Sequence, residues 1–335
     1  MTVSIKVLHV GLGPIGAAVV RQVAARKGLS IVGAVDLDPA KVGLDVGDVC
    51  GLGKKLRVFV TGDLKAVIKA TRHDVAILCT SSSLEAVVPE FEIVLKLKVP
   101  VVASTEELAY PVRRNARIAK RIDALAKRSR VAVLGTGVNP GFVMDALPIA
   151  LTGVAERVDA IEIDRVQDAR VRRLPFQQKI GAGLTRDAFD AGVKEGRIRH
   201  VGFAESISMI ADAVGWKVDR ITDEIQPMMA AAAVSSQFIH VEAGQVAGLI
   251  QDGAGFVKGK PRIKLHMEAY LGAPEAYDAV RIAGSPALSM RIAGGVHGDI
   301  ATAAIICNSI PKVLQAAPGL RTMRDTILPS FFARA

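Results

Sequence analysis

The first group of residues that could do chemistry is a glycine-rich turn close to the start of the chain. The apolar run Ile5 to Val10 leads directly into the sequence GLGPIG at positions 11–16, and an apolar helical pattern follows. In such a turn the first glycine permits a tight bend, the second lets the backbone approach a diphosphate, and the third lets helix and strand pack closely. N–H groups at the start of the helix would face the phosphates. We therefore predict a dinucleotide site formed by Gly11, Gly13, Pro14, Ile15 and Gly16.

A carboxylate lies where a dinucleotide site needs one. Asp36 ends the next apolar run, 20 residues after Gly16, and it can accept hydrogen bonds from the hydroxyls of an adenosine ribose. No arginine follows it to hold a 2′-phosphate, which favours NAD, although Lys41 keeps NADP open. The alternative is a glycine-rich turn of an α/β protein that holds no ligand.

Two adjacent carboxylates, Glu106 and Glu107, follow the fifth predicted strand in the sequence STEELAYP. A carboxylate there that is screened from water would have a raised pKa and could act as a general base. Its charge would also stabilise a cation at a substrate carbon. The alternative is that both acids occupy the first turn of a helix capped by Thr105. Since adjacent side chains point in different directions, we assign the chemistry to Glu106 and the helix to Glu107.

Further candidates follow the neighbouring predicted strands, because ligands of doubly wound sheets lie beyond the carboxyl ends of the strands. The predicted cofactor contacts in these loops are Thr80, Ser81, Ser82 and Thr105. After the sixth strand, Asn139 and Pro140 could contact a nicotinamide, and Phe142 could line a substrate pocket. A rigid turn between domains is the alternative interpretation of that loop.

The elements that must position these residues alternate between strand and helix patterns over the first 140 residues. Strands are predicted at 5–10, 31–35, 56–60, 75–79, 99–103 and 131–134. Helices are predicted at 17–27, 63–71, 84–97 and 111–130. This alternation is typical of a Rossmann fold, an α/β architecture with a doubly wound parallel sheet.

The pattern changes at about residue 141. Long alternating stretches at 158–167, 218–226, 238–249, 262–270 and 279–291 predict strands, with helices at 186–195 and 203–214. They are typical of a second, α+β domain built on a mostly antiparallel sheet. We expect a dinucleotide-binding domain at 1–140, and a domain at 141–298 that covers the cofactor, binds substrate and dimerises. An apolar helix at 299–314, within a segment reaching 335, is expected to pack back on the first domain.

Composition narrows the class of protein. No apolar stretch reaches the ~18 residues that a membrane span needs, and the first apolar run is a strand, so we expect neither a membrane segment nor a signal peptide. The three cysteines are far apart and match neither the spacing of metal ligands nor that of a disulfide framework. This indicates a cytoplasmic protein with no bound metal. The net charge of +10 has a local source in the predicted helix at 111–130, whose basic face lacks interleaved aromatic residues. We therefore expect no nucleic-acid partner.

Several motifs together resemble the 2,4-diaminopentanoate dehydrogenase family, which also contains the native amine dehydrogenases. They are GLGPIG at 11–16, STEELAYP at 104–111, GVNPGF at 137–142, LPFQQK at 174–179, RHVGFAES at 199–206 and NSIPK at 308–312. The first domain alone is also similar to dihydrodipicolinate reductase, but the His-His signature and catalytic lysine of that enzyme have no counterpart here. The segment 174–179 departs from the clostridial members, so simpler amines and ketones become candidate substrates.

The resemblance implies a homodimer that catalyses reversible oxidative deamination, in which an amine, NAD or NADP and water give a ketone or aldehyde, ammonia and the reduced cofactor. It also implies that a glutamate of the acidic pair is the catalytic group. The polar residues that it places at the far end of the substrate pocket are Arg165, His200, His266 and Thr302. Strand alternation puts Gln167 on the same face as Arg165, and Phe176 would form an apolar wall.

Two other functions stay open. An imine or carbonyl reductase of the dihydrodipicolinate reductase type would use the same first domain, although a carbonyl reductase usually has a lysine, tyrosine or histidine proton donor. A non-catalytic NAD(H)-sensing protein would need no carboxylate beside the nicotinamide, so the acidic pair at 106–107 argues against it.

Overall fold

The computed structural model describes residues 4–326 and Ser330. The chain divides into two compact units, one formed by Met1–Gly141 with Asp299–Ala335 and the other by Phe142–Gly298. Residues 327–329 and 331–335, the end of the predicted C-terminal segment, lie outside the described residues.

The N-terminal part of the first unit alternates strands and helices. Its strands are β1 (Ile5–Val10), β2 (Leu29–Val35), β3 (Val60–Thr61), β4 (Val75–Leu78), β5 (Val101–Ala103) and β6 (Ala132–Gly135). Its helices are α1 (Pro14–Ala25), α2 (Val46–Val49), α3 (Leu64–Ala70), α4 (Leu84–Lys96) and α5 (Ala116–Ser129).

The second unit contains long strands and short helices. Its helices are α6 (Ala146–Thr152), α7 (Leu174–Lys179), α8 (Arg186–Lys194) and α9 (Phe203–Ala213). Its strands are β7 (Arg157–Asp168), β8 (Arg220–Met229), β9 (Val234–Ser235), β10 (His240–Val241), β11 (Val246–Val257), β12 (Lys260–Tyr270), β13 (Tyr277–Ser285) and β14 (Leu288–Ala293). The chain then forms α10 (Gly298–Gln315) and β15 (Gly319–Arg321).

The first unit is built on a seven-stranded sheet in the order β15-β6-β5-β4-β1-β2-β3. Every neighbouring pair of strands is parallel, which confirms the predicted doubly wound α/β fold. All residues of β4, β5 and β6 are buried, which explains why these strands are continuous apolar runs in the sequence.

The third strand is much shorter than predicted. Only Val60–Thr61 pairs with β2, because the chain just before it turns back towards Asp45. The Asp45 carboxylate accepts hydrogen bonds of 2.7–3.0 Å from the N–H groups of Gly47, Leu56 and Arg57. These local bonds satisfy N–H groups that strand pairing would otherwise have to satisfy.

The predicted basic helix begins at Ala116 rather than at 111. It buries Ala119, Ile122, Leu125 and Ala126 against the rest of the unit, and its lysine and arginine side chains are exposed. The helix is therefore amphipathic with a solvated basic face, as its apolar spacing predicts.

The second unit is built on a six-stranded sheet in the order β14-β13-β7-β12-β11-β8. Only the β7–β12 pair is parallel, so the prediction of a mostly antiparallel sheet is confirmed. Helix α9 packs on one face, where Phe203 and Ile207 lie against Gly253 and Gly255. A Cβ atom on either glycine would come within 2.6–2.7 Å of those side chains, so the glycines make room for the helix.

The opposite face of this sheet, which we call the open face, carries charged side chains. Arg281 pairs with Asp164 at 2.6 and 2.9 Å, and Lys264 pairs with Glu162 at 2.9 Å. His266 lies on the same face. These side chains alternate along their strands with the residues buried on the α9 side.

Two predicted strands of the second unit are each divided in the structure. The stretch 238–249 contains β10, which ends at Val241, and β11, which begins at Val246. The stretch 279–291 is a hairpin of β13 and β14 that reverses at Pro286. In the sequence, the alternation of apolar and polar side chains continues through both turns. Periodicity alone therefore could not locate the turns.

Candidate active site

The candidate site lies at the carboxyl edge of the parallel sheet. Five residues that end neighbouring strands are in register across this sheet. In sheet order they are Gly135, Ala103, Leu78, Val10 and Val35. The loops that follow these strands therefore leave the sheet side by side, although they come from five distant parts of the sequence.

The three glycines of the first loop are required for different reasons. Gly11 has a φ of +88°, and a Cβ atom there would lie 2.5 Å from the Cys79 carbonyl oxygen. A Cβ atom on Gly16 would lie 1.8 Å from the Gly11 carbonyl oxygen. Gly13 has an ordinary φ of −67°, and no atom lies within 4 Å of where its Cβ would be. Protein packing thus explains Gly11 and Gly16, whereas Gly13 leaves open space at the start of α1.

His9, on β1, contacts this loop from inside the protein. Its Nε2 lies 3.0 Å from the Gly11 carbonyl oxygen inside the protein. Burial lowers the pKa of His9 to about 4, so the imidazole is neutral near pH 7 and its Nε2–H donates to that carbonyl.

Asp36 follows β2 on the other side of the glycine loop. Its Oδ2 accepts a hydrogen bond from the Leu12 N–H at 2.6 Å, and its Oδ1 accepts one from the Asp38 N–H at 2.9 Å. Lys41 Nζ lies 3.2 Å from Asp36 Oδ2 and 3.4 Å from Asp38 Oδ2. Burial raises the pKa of Asp36, but the hydrogen bonds from Asp38, Leu12 and Lys41 outweigh it and hold the pKa below its ordinary value. Asp36 is therefore an anion.

Glu107 is committed to the start of helix α4. Its Oε2 accepts hydrogen bonds from the Leu84 N–H at 2.9 Å and from Asn115 Nδ2 at 3.3 Å. The side chain of Ser83, the residue before α4, makes no capping bond, so Glu107 supplies the acceptor and the negative charge that a helix N-terminus favours. Glu107 therefore stabilises the N-terminus of α4. The sequence had instead suggested that Glu107 belongs to the first turn of a helix at its own position.

The segment Glu106–Leu108 is a single 3-10 turn that begins after Thr105, so the helical turn expected for Glu107 is present but does not continue as an α-helix. Thr105 makes no side-chain capping bond. Glu106 is partly exposed, whereas Glu107 is buried. Of the two carboxylates, Glu106 is thus the more exposed.

The loop after β6 brings Thr302 to this edge. The Thr302 hydroxyl, on α10, accepts a hydrogen bond of 3.3 Å from the Val138 N–H. The Asn139–Pro140 peptide bond is cis, and Asn139 is 8% exposed. Thr302 therefore lies beside the loop of the first unit that carries the predicted cofactor contacts Asn139 and Pro140.

Two buried hydroxyl groups test whether this edge fits a dinucleotide. Thr105 and Thr136, which follow β5 and β6, are 1% and 3% exposed. Neither Oγ1 atom has a hydrogen-bond partner in the part of the chain that the structure describes. Buried polar groups are rarely left unpaired, and a dinucleotide carries hydroxyl and amide groups that can pair with them. Together with the open space at Gly13, these residues fit such a ligand. Thr136 was missed in the sequence.

The serine-rich loop after β4 leads into α4. Thr80 is exposed and its hydroxyl donates a hydrogen bond of 2.7 Å to Glu90 Oε2. Ser81 Oγ accepts from the Ser83 N–H at 3.2 Å, and the Ser82 carbonyl accepts from the Glu107 N–H at 3.2 Å. Thr80 is thus the member of this loop whose hydroxyl stays accessible on the surface of the unit.

Arg165 of the second unit is held by other protein groups. It is 1% exposed, and its Nη1 lies 2.6 Å from Asp278 Oδ1. Its Nη2 donates to the Val296 carbonyl at 2.8 Å. The prediction that Arg165 receives a polar tail of the substrate is therefore corrected, because its guanidinium is engaged in a buried ion pair.

Gln167 and Phe176 lie together around Arg172. Arg172 Nη1 donates to Gln167 Oε1, and the Arg172 guanidinium lies 3.9 Å from the centre of the Phe176 ring. Phe176 is 8% exposed. Arg172 was missed in the sequence because nothing in its local spacing distinguishes it from a surface arginine.

The two predicted pocket histidines lie on opposite faces of the second sheet. The backbone of His200 exchanges hydrogen bonds of 2.8 and 3.1 Å with the Gln251 side chain, on the face that α9 covers. His266 lies on the open face, 2.7 Å from Asp252 Oδ1 and 3.1 Å from Glu268 Oε1. The prediction that both line one pocket is corrected, because alternation along β12 turns His266 away from the Arg165 side.

Phe142, the first residue of the second unit, contributes to a turn. Its carbonyl accepts hydrogen bonds from the N–H groups of Asp145 and Leu147 at 3.3 and 2.9 Å, and its side chain is partly exposed.

Within residues 4–326 and 330, no helix combines the length and the apolarity needed to cross a membrane. Nor do these residues include a group of three or more histidine, cysteine or acidic side chains placed to hold a metal ion.

Comparison with known proteins gives matches to both units. Residues 142–334 match the 2,4-diaminopentanoate dehydrogenase C-terminal domain, and residues 5–134 match the N-terminus of dihydrodipicolinate reductase. A 2,4-diaminopentanoate dehydrogenase from Acetoanaerobium sticklandii is 36% identical and aligns with 97% of this chain and 94% of its own length. An amine dehydrogenase from Streptomyces virginiae is 26% identical over 76% of this chain and 71% of its own length. The solved structure of an amine dehydrogenase from Mycobacterium smegmatis has a TM-score of 0.88 at 26% identity, covering 98% of this chain and 97% of that one.

Replacing Asp278 by Asn should strongly destabilise the protein, because it leaves the buried Arg165 guanidinium without its anion. We expect a loss of about 3–5 kcal/mol in the free energy of unfolding, measured by urea denaturation. The matched control is Asp159→Asn, which breaks the exposed pair with Arg157 and should cost at most about 1 kcal/mol. Equal losses in the two variants would contradict a structural role for the Arg165–Asp278 pair.

Proposed function

Because this chain belongs to the 2,4-diaminopentanoate dehydrogenase family, we propose that it is an NAD(P)-dependent amine dehydrogenase. It catalyses the reversible oxidative deamination of a small amine to a ketone or aldehyde and ammonia. The observation that carries this proposal is the partly exposed carboxylate of Glu106 directly after β5, beside a Glu107 that is already bound to α4.

The overall reaction requires both a hydride acceptor and a proton acceptor. An alkylammonium ion, NAD⁺ and water give a carbonyl compound, an ammonium ion, NADH and one proton. A bound nicotinamide ring supplies the hydride acceptor, which protein side chains cannot provide. The remaining tasks are to deprotonate the amine, stabilise a cation and activate water, and each of them suits a carboxylate.

Glu106 carries out these tasks in sequence. Its carboxylate takes a proton from the substrate ammonium group and releases it to solvent. As an anion again, it stabilises the iminium ion that remains when the substrate carbon has lost a hydride, and it then accepts a proton from the water molecule that forms the new C–O bond. It gives that proton to the nitrogen, the C–N bond breaks, and ammonia leaves as the new hydroxyl group loses its proton. In reductive amination the same carboxylate returns these protons in the reverse order.

The charges after β2 favour NAD over NADP. Asp36 and Asp38 both lie within 3.4 Å of the Lys41 ammonium group, so these three side chains carry one negative charge in excess. A 2′-phosphate on the adenosine ribose would be repelled there, whereas the ribose hydroxyls of NAD can donate to Asp36.

The second unit supplies the substrate-binding side chains. Gln167, Phe176 and His200 remain candidates, together with Phe142. Gln167 lies on β7, and the His200 backbone is bonded to Gln251 on the face of the sheet that α9 covers. Phe176 lies on α7, in the segment that follows β7. Arg165 supports this group through its ion pair and does not contact the substrate itself. The Arg172 guanidinium lies against both Gln167 and Phe176, so this environment combines an aromatic ring with a charged group.

The open face of the second sheet is the surface through which two copies pair. It presents acidic and basic side chains on adjacent strands, with the small Ala254 and Thr222 opposite each other on β11 and β8. Alternating charge and small side chains allow two such faces to stack with complementary contacts. The three free cysteines fit a reducing compartment such as the cytoplasm.

Replacing Glu106 by Gln should lower kcat about 10²- to 10⁴-fold, because a general base is lost, while the affinity for NADH changes little. Glu107→Gln, the matched control, keeps an oxygen for the Leu84 N–H and should leave kcat within about threefold. The assay follows NADH absorbance with ammonium and a panel of ketones and aldehydes. A larger loss of kcat in the Glu107 variant would move the catalytic role by one residue. No ammonium-dependent turnover by the wild-type protein would refute the proposed function.

Asp36→Asn should shift the ratio of kcat/KM for NADPH to that for NADH by about tenfold or more towards NADPH. The substitution removes a charge that opposes the 2′-phosphate and frees Lys41 to bind it. The double variant Asp36→Asn/Lys41→Gln should lose this gain. An unchanged ratio in the single variant would contradict the assignment of cofactor preference to this charge group.

Sedimentation equilibrium should give twice the mass of the 35.3 kDa chain. Ala254→Arg places a long charged side chain on the open face and should produce a monomer. The control Ala124→Arg lies on the exposed side of α5 in the first unit and should remain dimeric. A dimer that survives the Ala254 substitution would place the subunit interface elsewhere.

A further inference from the structure

Glu90, on α4, is a charged residue at the candidate site that the mechanism does not use. Its carboxylate accepts the hydrogen bond from the Thr80 hydroxyl at 2.7 Å. Among the described residues it forms no ion pair, whereas Glu92 on the same helix is paired with Lys96 and Arg121. Burial raises the pKa of Glu90, and the hydrogen bond from Thr80 opposes this shift.

Thr80 lies next to the glycine loop. A Cβ atom built on Gly11 would be only 2.9 Å from Thr80 Cγ2, and the Thr80 side chain is exposed. The residue that Glu90 touches is therefore in position to touch a ligand bound over that loop.

The strand order decides which half of a dinucleotide reaches Thr80. Strand β1, with the glycine loop, lies between β2 and β4. Asp36 follows β2 and marks the adenosine side, and the diphosphate lies over the loop after β1. Thr80 follows β4, on the opposite side of that loop, and so faces the nicotinamide half of the cofactor.

A threonine hydroxyl has one hydrogen to donate and can accept others. Since that hydrogen is donated to Glu90, Thr80 is left as an acceptor. Phosphate oxygens of the cofactor are acceptors too, and a carboxylate beside them is unfavourable. A ribose hydroxyl, in contrast, can donate to Thr80.

We propose that Glu90 is a positioning residue for the cofactor, which holds the Thr80 hydroxyl as the acceptor for a hydroxyl of the nicotinamide ribose. This inference rests on the proposed dinucleotide cofactor but not on the amine substrate.

The test uses ligands that differ in this ribose. ADP-ribose contains it and ADP does not, so isothermal titration calorimetry with ADP, ADP-ribose and NADH isolates its contribution without amine or ammonium. Glu90→Met removes the acceptor, and Thr80→Val removes the hydroxyl. Each should weaken ADP-ribose and NADH binding about fivefold to tenfold, the loss of one hydrogen bond. ADP binding should stay within about twofold, which also shows that each variant is folded.

Conservative variants separate positioning from a general effect. Glu90→Gln keeps an acceptor oxygen and Thr80→Ser keeps the hydroxyl, so both should bind ADP-ribose within about threefold of the wild-type protein. The double variant Glu90→Met/Thr80→Val should be no weaker than Thr80→Val alone, because the two residues act through one hydroxyl. Glu85→Gln, an exposed acid on the same helix, is the matched control and should behave as wild type.

Three outcomes would overturn the proposal. They are an equal loss of ADP binding in Glu90→Met, a loss in Glu90→Gln as large as in Glu90→Met, and unchanged ADP-ribose binding in Glu90→Met. Wild-type protein that binds none of the three ligands would refute the proposed cofactor instead. Wild-type protein that binds them but turns over no amine would refute only the proposed reaction.

Discussion

The alignment of strand ends across the parallel sheet is the constraint on which the candidate site depends. Val10, Val35, Leu78, Ala103 and Gly135 form one row, so each loop that follows starts at the same height. Parallel pairing fixes this row through backbone hydrogen bonds, and the burial of both sheet faces prevents a strand from slipping, since a shift by one residue would exchange its two faces. The glycine loop, Asp36, Glu106 and the buried hydroxyl groups of Thr105 and Thr136 therefore lie along one edge of the sheet, without a direct bond between most of them.

The two glutamates of the acidic pair at 106–107 differ in their burial and in their contacts with the protein. Leu84 begins α4 without a capping side chain, and Glu107 meets that need. Glu106, one residue earlier on the same 3-10 turn, is partly exposed. The fold thus accounts for one carboxylate of the pair, Glu107, through its bond to the start of α4.

The spacing of residues along the sequence was sufficient to predict the conformation of the glycine loop, the position of Asp36 at the end of β2, and most of the helices and strands. Each of these depends on residues that are close in the sequence. The failures depend on distant partners or on competing local bonds. Asp45 takes the N–H groups that the third strand would have used. Asp278, which neutralises Arg165, is 113 residues away, and Thr302 meets Val138 across 164 residues. A single sequence contains no signal for such pairs, so neither the ion pair of Arg165 nor the contact of Thr302 with Val138 could be predicted from it.

Several acidic side chains lie at the carboxyl edge of the parallel sheet, where an anionic dinucleotide would bind. Asp36, Asp38, Glu90 and Glu106 lie on loops or helices that follow its strands, and the two aspartates hold the ammonium group of Lys41 between them. An anionic dinucleotide can still bind, because the open space at Gly13 lies at the N-terminus of α1, where N–H dipoles favour phosphate. The excess of basic side chains has one large source on the solvated face of α5. A diphosphate held by backbone dipoles would need no basic side chain at this edge, so the acidic side chains there are compatible with a dinucleotide ligand.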